Sequence, residues 1–208
     1  MKLLDFLTRF KATPAFSIRE VAQLYPGFEQ ENLLNWQKKG HILRIRNGWY
    51  SVSGRISTEE HLYWIANKIY RPSYISLESA FAYYHWIPEA VFTITSVSTL
   101  KTKAFDTPVG HFRYSSVKPT LFWGYTLLKV EAFGVKIAEP EKALLDFLYL
   151  NPKVESMADF EALRFDTDQM RQDIDREKLS AYVRMFDSVS LSKRVHAFIQ
   201  FLDYAQSI

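Results

Sequence analysis

The sequence predicts an α+β protein: three helices and a β-hairpin, then a mixed α/β body with a small, mainly antiparallel sheet and a helical C-terminus. Three observations carry this. Residues 32–52 (NLLNWQKKGHILRIRNGWYSV) pass from a short amphipathic segment ending at Gly40 into two alternating segments joined by Asn47-Gly48. Charge is uneven: residues 1–55 hold nine Lys and Arg against four Asp and Glu, residues 56–152 nine against nine, and residues 153–208 eight against ten. Between about residues 91 and 138 the apolar period turns from helical to alternating, then back to helical.

Residues 2–10 place Leu3, Leu4, Leu7 and Phe10 on one helical stripe, which Thr13-Pro14 breaks. Ser17 and Glu20 have the spacing of a capping box, Ser at N-cap and Glu at N3, opening a second helix to about Tyr25 with Val21 and Leu24 on its buried side. Pro26-Gly27 makes the turn. A third helix runs from about Glu29 to Lys39 and stops at Gly40. Asn-Gly between alternating runs signals a hairpin, because a type I′ turn takes φ > 0 at both central residues. Alternation puts Arg44 and Arg46 on one face of the ribbon, Leu43 and Ile45 on the other. Three helices followed by a basic hairpin is the element order of a winged helix-turn-helix. The polar run 53–57 ends it, so residues 1–55 read as one domain and 56–208 as a second.

In that arrangement the outward side of the third helix enters the major groove of DNA. Leu33, Trp36 and Gln37 lie on one side of it. Glu31, Asn35, Lys38 and Lys39 lie on or near the other. Asn35, Lys38 and Lys39 are therefore candidate DNA contacts, and Arg44 and Arg46 would reach phosphates or the minor groove. Glu31 would repel phosphate or accept from a base edge. A basic end on a neutral-to-acidic body fits a polyanionic partner. The plainer reading is a solvated basic face on a supporting unit.

In the second part, Ser57-Thr58-Glu59-Glu60 repeats the capping-box pattern, and a helix to about Tyr70 buries Leu62, Ile65, Ala66 and Ile69. Arg71-Pro72 ends it. After Tyr74–Ala80 a helix runs to about Trp86. Residues 91–98 read as a half-buried strand, 101–110 as a loop, and 111–117, 121–130 and 135–138 as further strands with Phe133-Gly134 near a turn. Pro140 suits the first position of a helix to Leu150 that buries Ala143, Leu144, Phe147 and Leu148. Lys142 and Asp146, four apart, read as an ordinary pair on the helix surface. Three more helices follow, at about 157–164, 175–186 and 190–206.

Gly48-x-Tyr50, Tyr74-Ile75-Ser76-x-x-Ser79-Ala80 with His85, and Ala138-x-Pro140-Glu141-Lys142-Ala143-Leu144-Leu145-Asp146 occur in that order. Together they resemble the AbiEi family, antitoxins of type IV toxin–antitoxin systems that act in abortive infection and viral defence. The resemblance spans roughly residues 5–150. It implies a winged helix-turn-helix that represses its own operon by binding promoter inverted repeats. It also implies a second domain that neutralises a nucleotidyltransferase-like toxin, directly or through a shared target, without enzymatic activity. It carries the reading positions onto Asn35, Lys38 and Lys39 and the wing positions onto Arg44, Arg46 and Asn47. It fixes no toxin-neutralising residue.

Other chemistries find little support. The absence of cysteine excludes disulfides, cysteine-ligated zinc and thiol catalysis. The start, MKLLDFLTRFK, lacks the apolar stretch of a signal peptide, and no run of about 18 apolar residues occurs, so the expectation is a cytoplasmic protein without a membrane partner. The five His have no metal-ligand spacing, the seven Gly form no phosphate loop, and no G-x-S-x-G occurs. No catalytic residue, cofactor or metal is expected. Two alternatives remain: a ligand-responsive winged-helix regulator with Tyr83, Tyr84, Trp86, Phe122 and Trp123 around a pocket, and a metal-dependent nuclease using Glu139, Glu141 and Lys142 with Glu78 and Asp106.

Overall fold

The computed structural model describes residues 2–205. The N-terminal unit comprises α1 (Leu3–Phe10), β1 (Phe16–Ser17), α2 (Ile18–Leu24), α3 (Glu31–Lys38), β2 (Ile42–Arg46) and β3 (Trp49–Val52). The capping box at α2 forms as expected: Glu20 N–H donates to Ser17 Oγ, and Ser17 N–H to Glu20 Oε2. The strands pair antiparallel in the order β1-β3-β2; the two-residue β1, invisible to periodicity, pairs Phe16 with Tyr50. Phe6, Phe10, Phe16, Val21, Leu33, Trp36, Ile42, Tyr50 and Val52 form this unit's own core. Its rings pack closely, Phe6 lying 4.5 Å from Phe10 and 4.7 Å from Trp36.

The hairpin departs from the expected geometry. Arg44 pairs with Tyr50 but Arg46 with Trp49, so Ile45 is an extra residue in the ladder, a β-bulge. The bulge breaks the two-residue alternation, so Arg44 and Arg46 do not share a face. Ile45 turns into the core, Arg44 stays exposed and Arg46 is half-buried. Of the two turn residues only Gly48 has positive φ, +75°, so the turn is not type I′.

The second part comprises α4 (Glu59–Ile69), β4 (Ser73–Ile75), α5 (Glu78–Tyr83), β5 (Thr93–Ser98), β6 (Lys103–Thr107), β7 (Gly110–Ser116), β8 (Tyr125–Val130), β9 (Phe133–Ala138), α6 (Pro140–Leu150), α7 (Met157–Ala162), α8 (Thr167–Asp173), α9 (Arg176–Phe186) and α10 (Val189–Tyr204). Six strands form one sheet in the order β6-β7-β5-β4-β9-β8. The sheet is mixed: β5–β7 and β4–β9 run parallel, the other neighbours antiparallel. After β5 the chain skips one strand position, runs out along the edge as β6, and hairpins back into the gap as β7.

β4 shows how the layers sit. Side chains alternate along a strand. Ser73 donates to the Ala66 carbonyl of α4, whereas Tyr74 and Ser76 reach Asp146 of α6. The sheet centre is thus sandwiched between α4 and α6. This burial on both faces corrects the half-buried reading of β5, where Thr95, Ser96 and Ser98 are all inside. Thr95 Oγ1 donates to the Ser76 carbonyl and accepts from Ser79 N–H, and Ser98 Oγ donates to the Pro72 carbonyl, so these two hydroxyls are buried with partners, whereas Ser96 Oγ has none among the described residues.

Several boundaries differ. β4 has three residues, too few to display alternation. β6, expected as loop, is a mostly exposed polar edge strand. α8 has no counterpart among the expected helices: Met170 is its only buried residue, although Asp166 caps it. The cap of α4 is Thr58 rather than Ser57 and makes no side-chain bond. α5 stops at Tyr83, short of Trp86. The β8–β9 turn is at Glu131-Ala132, just before Phe133-Gly134. α10 ends at Tyr204; Gln206, its expected end, lies outside the described residues.

The two parts meet through named groups. Ala15 and Ile45 join the larger core. Arg55 donates from Nε to the Lys11 carbonyl and from Nη2 to Glu131 Oε2 at 2.5 Å. Buried His61 accepts from Ser57 N–H at Nδ1, so Nε2 carries the proton and donates to Glu131 Oε1. The Arg55 guanidinium and, next, the His61 ring hold the exposed Glu131 carboxyl below its ordinary 4.5. A depressed carboxylate contributes stability above the unfolded value, and that contribution disappears as pH falls through the folded one. Glu131→Gln is therefore expected to lower the thermal midpoint at neutral pH, with the gap to wild type closing as pH falls below 4.5. A gap that persists in acid would rule the clamp out.

Candidate nucleic-acid interface

Leu33 and Trp36 set the roll of α3. They are buried three positions apart, and Trp36 is wedged against Phe6 and Phe28. The opposite side is then solvent-facing, and Asn35, Lys38 and Lys39 are exposed there with Glu31. Gln37, assigned to the inner side, is exposed as well, and Leu34 is 52% exposed beside them. Leu34 escapes a reading of the sequence because an apolar residue on a helix is assumed to face in. Its spacing from Glu31 and Lys38 is the signal that could have placed it outside.

On the hairpin, Arg44 Nη2 donates to Asn47 Oδ1 at 2.7 Å, which steers the guanidinium toward the turn. Arg46 goes elsewhere. Its guanidinium carbon lies 3.7 Å above the Phe105 ring, and Nη1 donates to the Ile69 carbonyl. It therefore packs the hairpin against β6 and the end of α4. Of the six residues expected to touch DNA, the structure brings Asn35, Lys38 and Lys39 onto one helix side and Arg44 and Asn47 onto the turn, and draws Arg46 away. Among the described residues, none of Lys38, Lys39 and Arg44 has a carboxylate ion-pair partner.

The remaining chemistry-bearing motifs converge away from this surface. Lys142 and Asp146, expected on the helix surface, are both fully buried and form an ion pair. Tyr74 OH and Ser76 Oγ donate to Asp146 Oδ2 at 2.8 and 2.9 Å, and Lys142 Nζ donates to Tyr74 OH at 2.7 Å. The ammonium sits about 5 Å from the rings of Tyr74, Trp123 and Phe186. Gly124, at φ +70°, leaves room for the lysine stem; a Cβ there would come within 3.0 Å of Lys142 Cγ. Burial pulls the lysine down and pushes the aspartate up, and each ion opposes the shift in the other. Enclosed on all sides, the pair has no access to a substrate. It ties β4 to α6.

The acids considered for metal chemistry do not converge. Glu78 pairs with Arg113 and Asp106 with His111, while Glu139 and Glu141 share Lys178. Tyr182, pushed up to about 12 by burial and by its bond to Glu139, completes that last group. No group of three or more His, Asp and Glu placed to hold a metal occurs among the described residues. The aromatic residues expected around a ligand divide into two packing groups: Tyr84 and Trp86 beside Phe81, and Phe122 and Trp123 against Tyr74, Tyr182 and Phe186.

Removing one member of a buried ion pair strands the other, at about 3–5 kcal/mol. Asp146→Ala is expected to lower stability by that much in denaturant unfolding. Lys142→Met combined with Asp146→Leu, which strands no charge, is expected to lower it clearly less. Equal effects would show that packing, not charge, holds the junction.

No protein-family model and no curated protein matches the chain.

Proposed function

We propose that residues 1–55 act as a winged helix-turn-helix that binds promoter DNA, with α3 in the major groove and the β2–β3 hairpin as the wing. The observation that carries this is the exposed basic set Lys38, Lys39 and Arg44, without carboxylate partners among the described residues, together with exposed Asn35 on α3 and Asn47 at the β2–β3 turn. Lys38, Lys39 and Arg44 neutralise phosphates, and Asn35 reads a base edge, where a carboxamide suits adenine. Leu34 offers an apolar contact to a thymine methyl. Arg46 belongs to the support of the hairpin rather than to the DNA contact.

For the whole chain, the reading is a non-enzymatic antitoxin of the AbiEi type that represses its own operon and neutralises a nucleotidyltransferase-like toxin in the cytoplasm. The support is the resemblance of its motifs. Tyr74, Ser76, Lys142 and Asp146, scattered over two of the three motif segments, meet in one buried network, which is what a fold signature does. No helix among the described residues is long and apolar enough to cross a membrane.

Lys38→Ala with Lys39→Ala and Arg44→Ala is expected to weaken binding to the chain's own promoter fragment by at least about tenfold. It should also flatten the salt dependence by roughly 0.9 for each phosphate no longer neutralised. Arg46→Ala is expected to lower thermal stability while largely sparing the salt slope. Fluorescence anisotropy across a salt series, beside thermal melts, separates the two. An unchanged slope in the triple variant rejects the DNA-binding surface. For the second half of the reading, co-expression with the neighbouring gene's product should restore growth; toxicity unrelieved by a folded, expressed chain rejects it.

A further inference from the structure

A second basic surface adjoins the hairpin turn but lies on the body of the protein. A cleft of about 430 Å³ is lined by Ser17, Arg19 and Glu20 of the α2 start, by Asn47 and Gly48 of the turn, and by Lys68 and Arg71 at the end of α4. A second cleft of about 300 Å³ shares Lys68 and Arg71 and adds Asn67, Ser73 and Lys136. Four cations, Arg19, Lys68, Arg71 and Lys136, thus border a depression made of two adjoining clefts that share Lys68 and Arg71. Glu20 is the acid among the lining residues, and its Oε2 is already engaged by Ser17 N–H. None of the four cations has an ion-pair partner among the described residues.

Their crowding has an electrostatic cost. Lys68 is held below its ordinary value by partial burial first, then by the Arg71 charge, with Lys136 adding to the effect and Glu20 opposing it. The side chains are also positioned: Lys68 Nζ lies 4.8 Å over the Trp64 ring and Lys136 Nζ 5.1 Å over Tyr125. Asn67, which also lines the second cleft, accepts from Lys136 N–H and so holds β9 against α4 there. Mutually repelling cations, two of them braced on aromatic rings, suit a chain of phosphates that relieves the repulsion on binding.

We propose that this depression binds the phosphate backbone of the same DNA duplex that α3 reads, carrying the footprint from the Asn47-Gly48 turn onto α4 and β9. The inference rests on the DNA-binding reading above. Duplex DNA is the occupant because the depression begins at the wing turn, where the duplex would leave the N-terminal unit, and because four cations spread over two joined clefts exceed what one phosphate group satisfies.

The test uses the full chain and a mixed-sequence DNA duplex, with affinity followed over a salt series. Four proteins are compared: wild type; a cleft variant, Lys68→Gln with Arg71→Gln and Lys136→Gln; the Lys38, Lys39 and Arg44 triple variant; and a charge-matched control on exposed residues elsewhere, Lys118→Gln with Lys153→Gln and Arg184→Gln. Circular dichroism melts check folding. The cleft variant should reduce the magnitude of the salt slope by about 2–3, at roughly 0.9 for each phosphate left unneutralised, while the control stays near wild type. A cleft variant indistinguishable from the control overturns the proposal. If wild type binds and only the α3 and turn variant has reduced affinity, this inference alone fails; if wild type does not bind duplex, both readings fail together. Inorganic phosphate, titrated separately, covers the remaining source: binding abolished in the cleft variant, with DNA affinity intact, would make the depression a small-anion site and overturn the DNA assignment.

Discussion

The buried contact between Lys142 and Asp146 is the constraint around which the second part is assembled. An ion pair taken fully out of water is costly unless its remaining hydrogen-bonding capacity is met. Here the two hydroxyls of Tyr74 and Ser76 meet it, and they can do so only if β4 lies against α6 in one register. That register places Ile75 beside Ile137 of β9 and Tyr74 opposite Val97 of β5, which fixes the middle of the sheet. A purely apolar junction would tolerate sliding; a donor–acceptor set of this kind does not. Trp123, Gly124 and Phe186 then close over the lysine and bring the segment before β8 and the end of α9 to the same place.

The joint between the N-terminal unit and the body follows related logic with arginine. Arg46 lays its planar guanidinium on Phe105 while reaching a helix-terminal carbonyl, and Arg55 spans Lys11 and Glu131. Arginine suits such places because its flat, weakly hydrated head both stacks and donates in several directions. The bulge at Ile45 makes this possible. With regular alternation Arg46 would point outward with Arg44 and the hairpin would lack its anchor on the body. The same bulge divides the basic hairpin into an outward residue available to a ligand and an inward one that supports it.

The candidate surface depends on a separate small core. Nine buried residues, five of them aromatic, pack α3 against the hairpin, while Ile45 and Arg46 fasten the hairpin to the body. Trp36 and Leu33 hold one side of α3 so firmly that the other side has no choice but solvent. The presentation of Asn35, Lys38 and Lys39 is thus a packing result, and the two lysines, without ion-pair partners among the described residues, carry their charge into solvent.

Local chemistry is legible in the sequence wherever a few neighbouring residues settle it. The Ser17–Glu20 capping box, the stop of α3 near Gly40, the Asn47-Gly48 reversal, Pro140 at a helix start and the outward side of α3 all follow from interactions within about one or two turns of chain. What partners decide is not legible there. β4 is a strand because β5 and β9 flank it, and β6 is one because β7 needs an edge. Arg46 turns inward because a bulge and Phe105 await it. Above all, Lys142 and Asp146 have the spacing of a solvent-exposed helical pair, and nothing in their neighbourhood along the chain says otherwise. Only the arrival of Tyr74 and Ser76, about seventy residues away in sequence, turns that spacing into the buried centre of the fold.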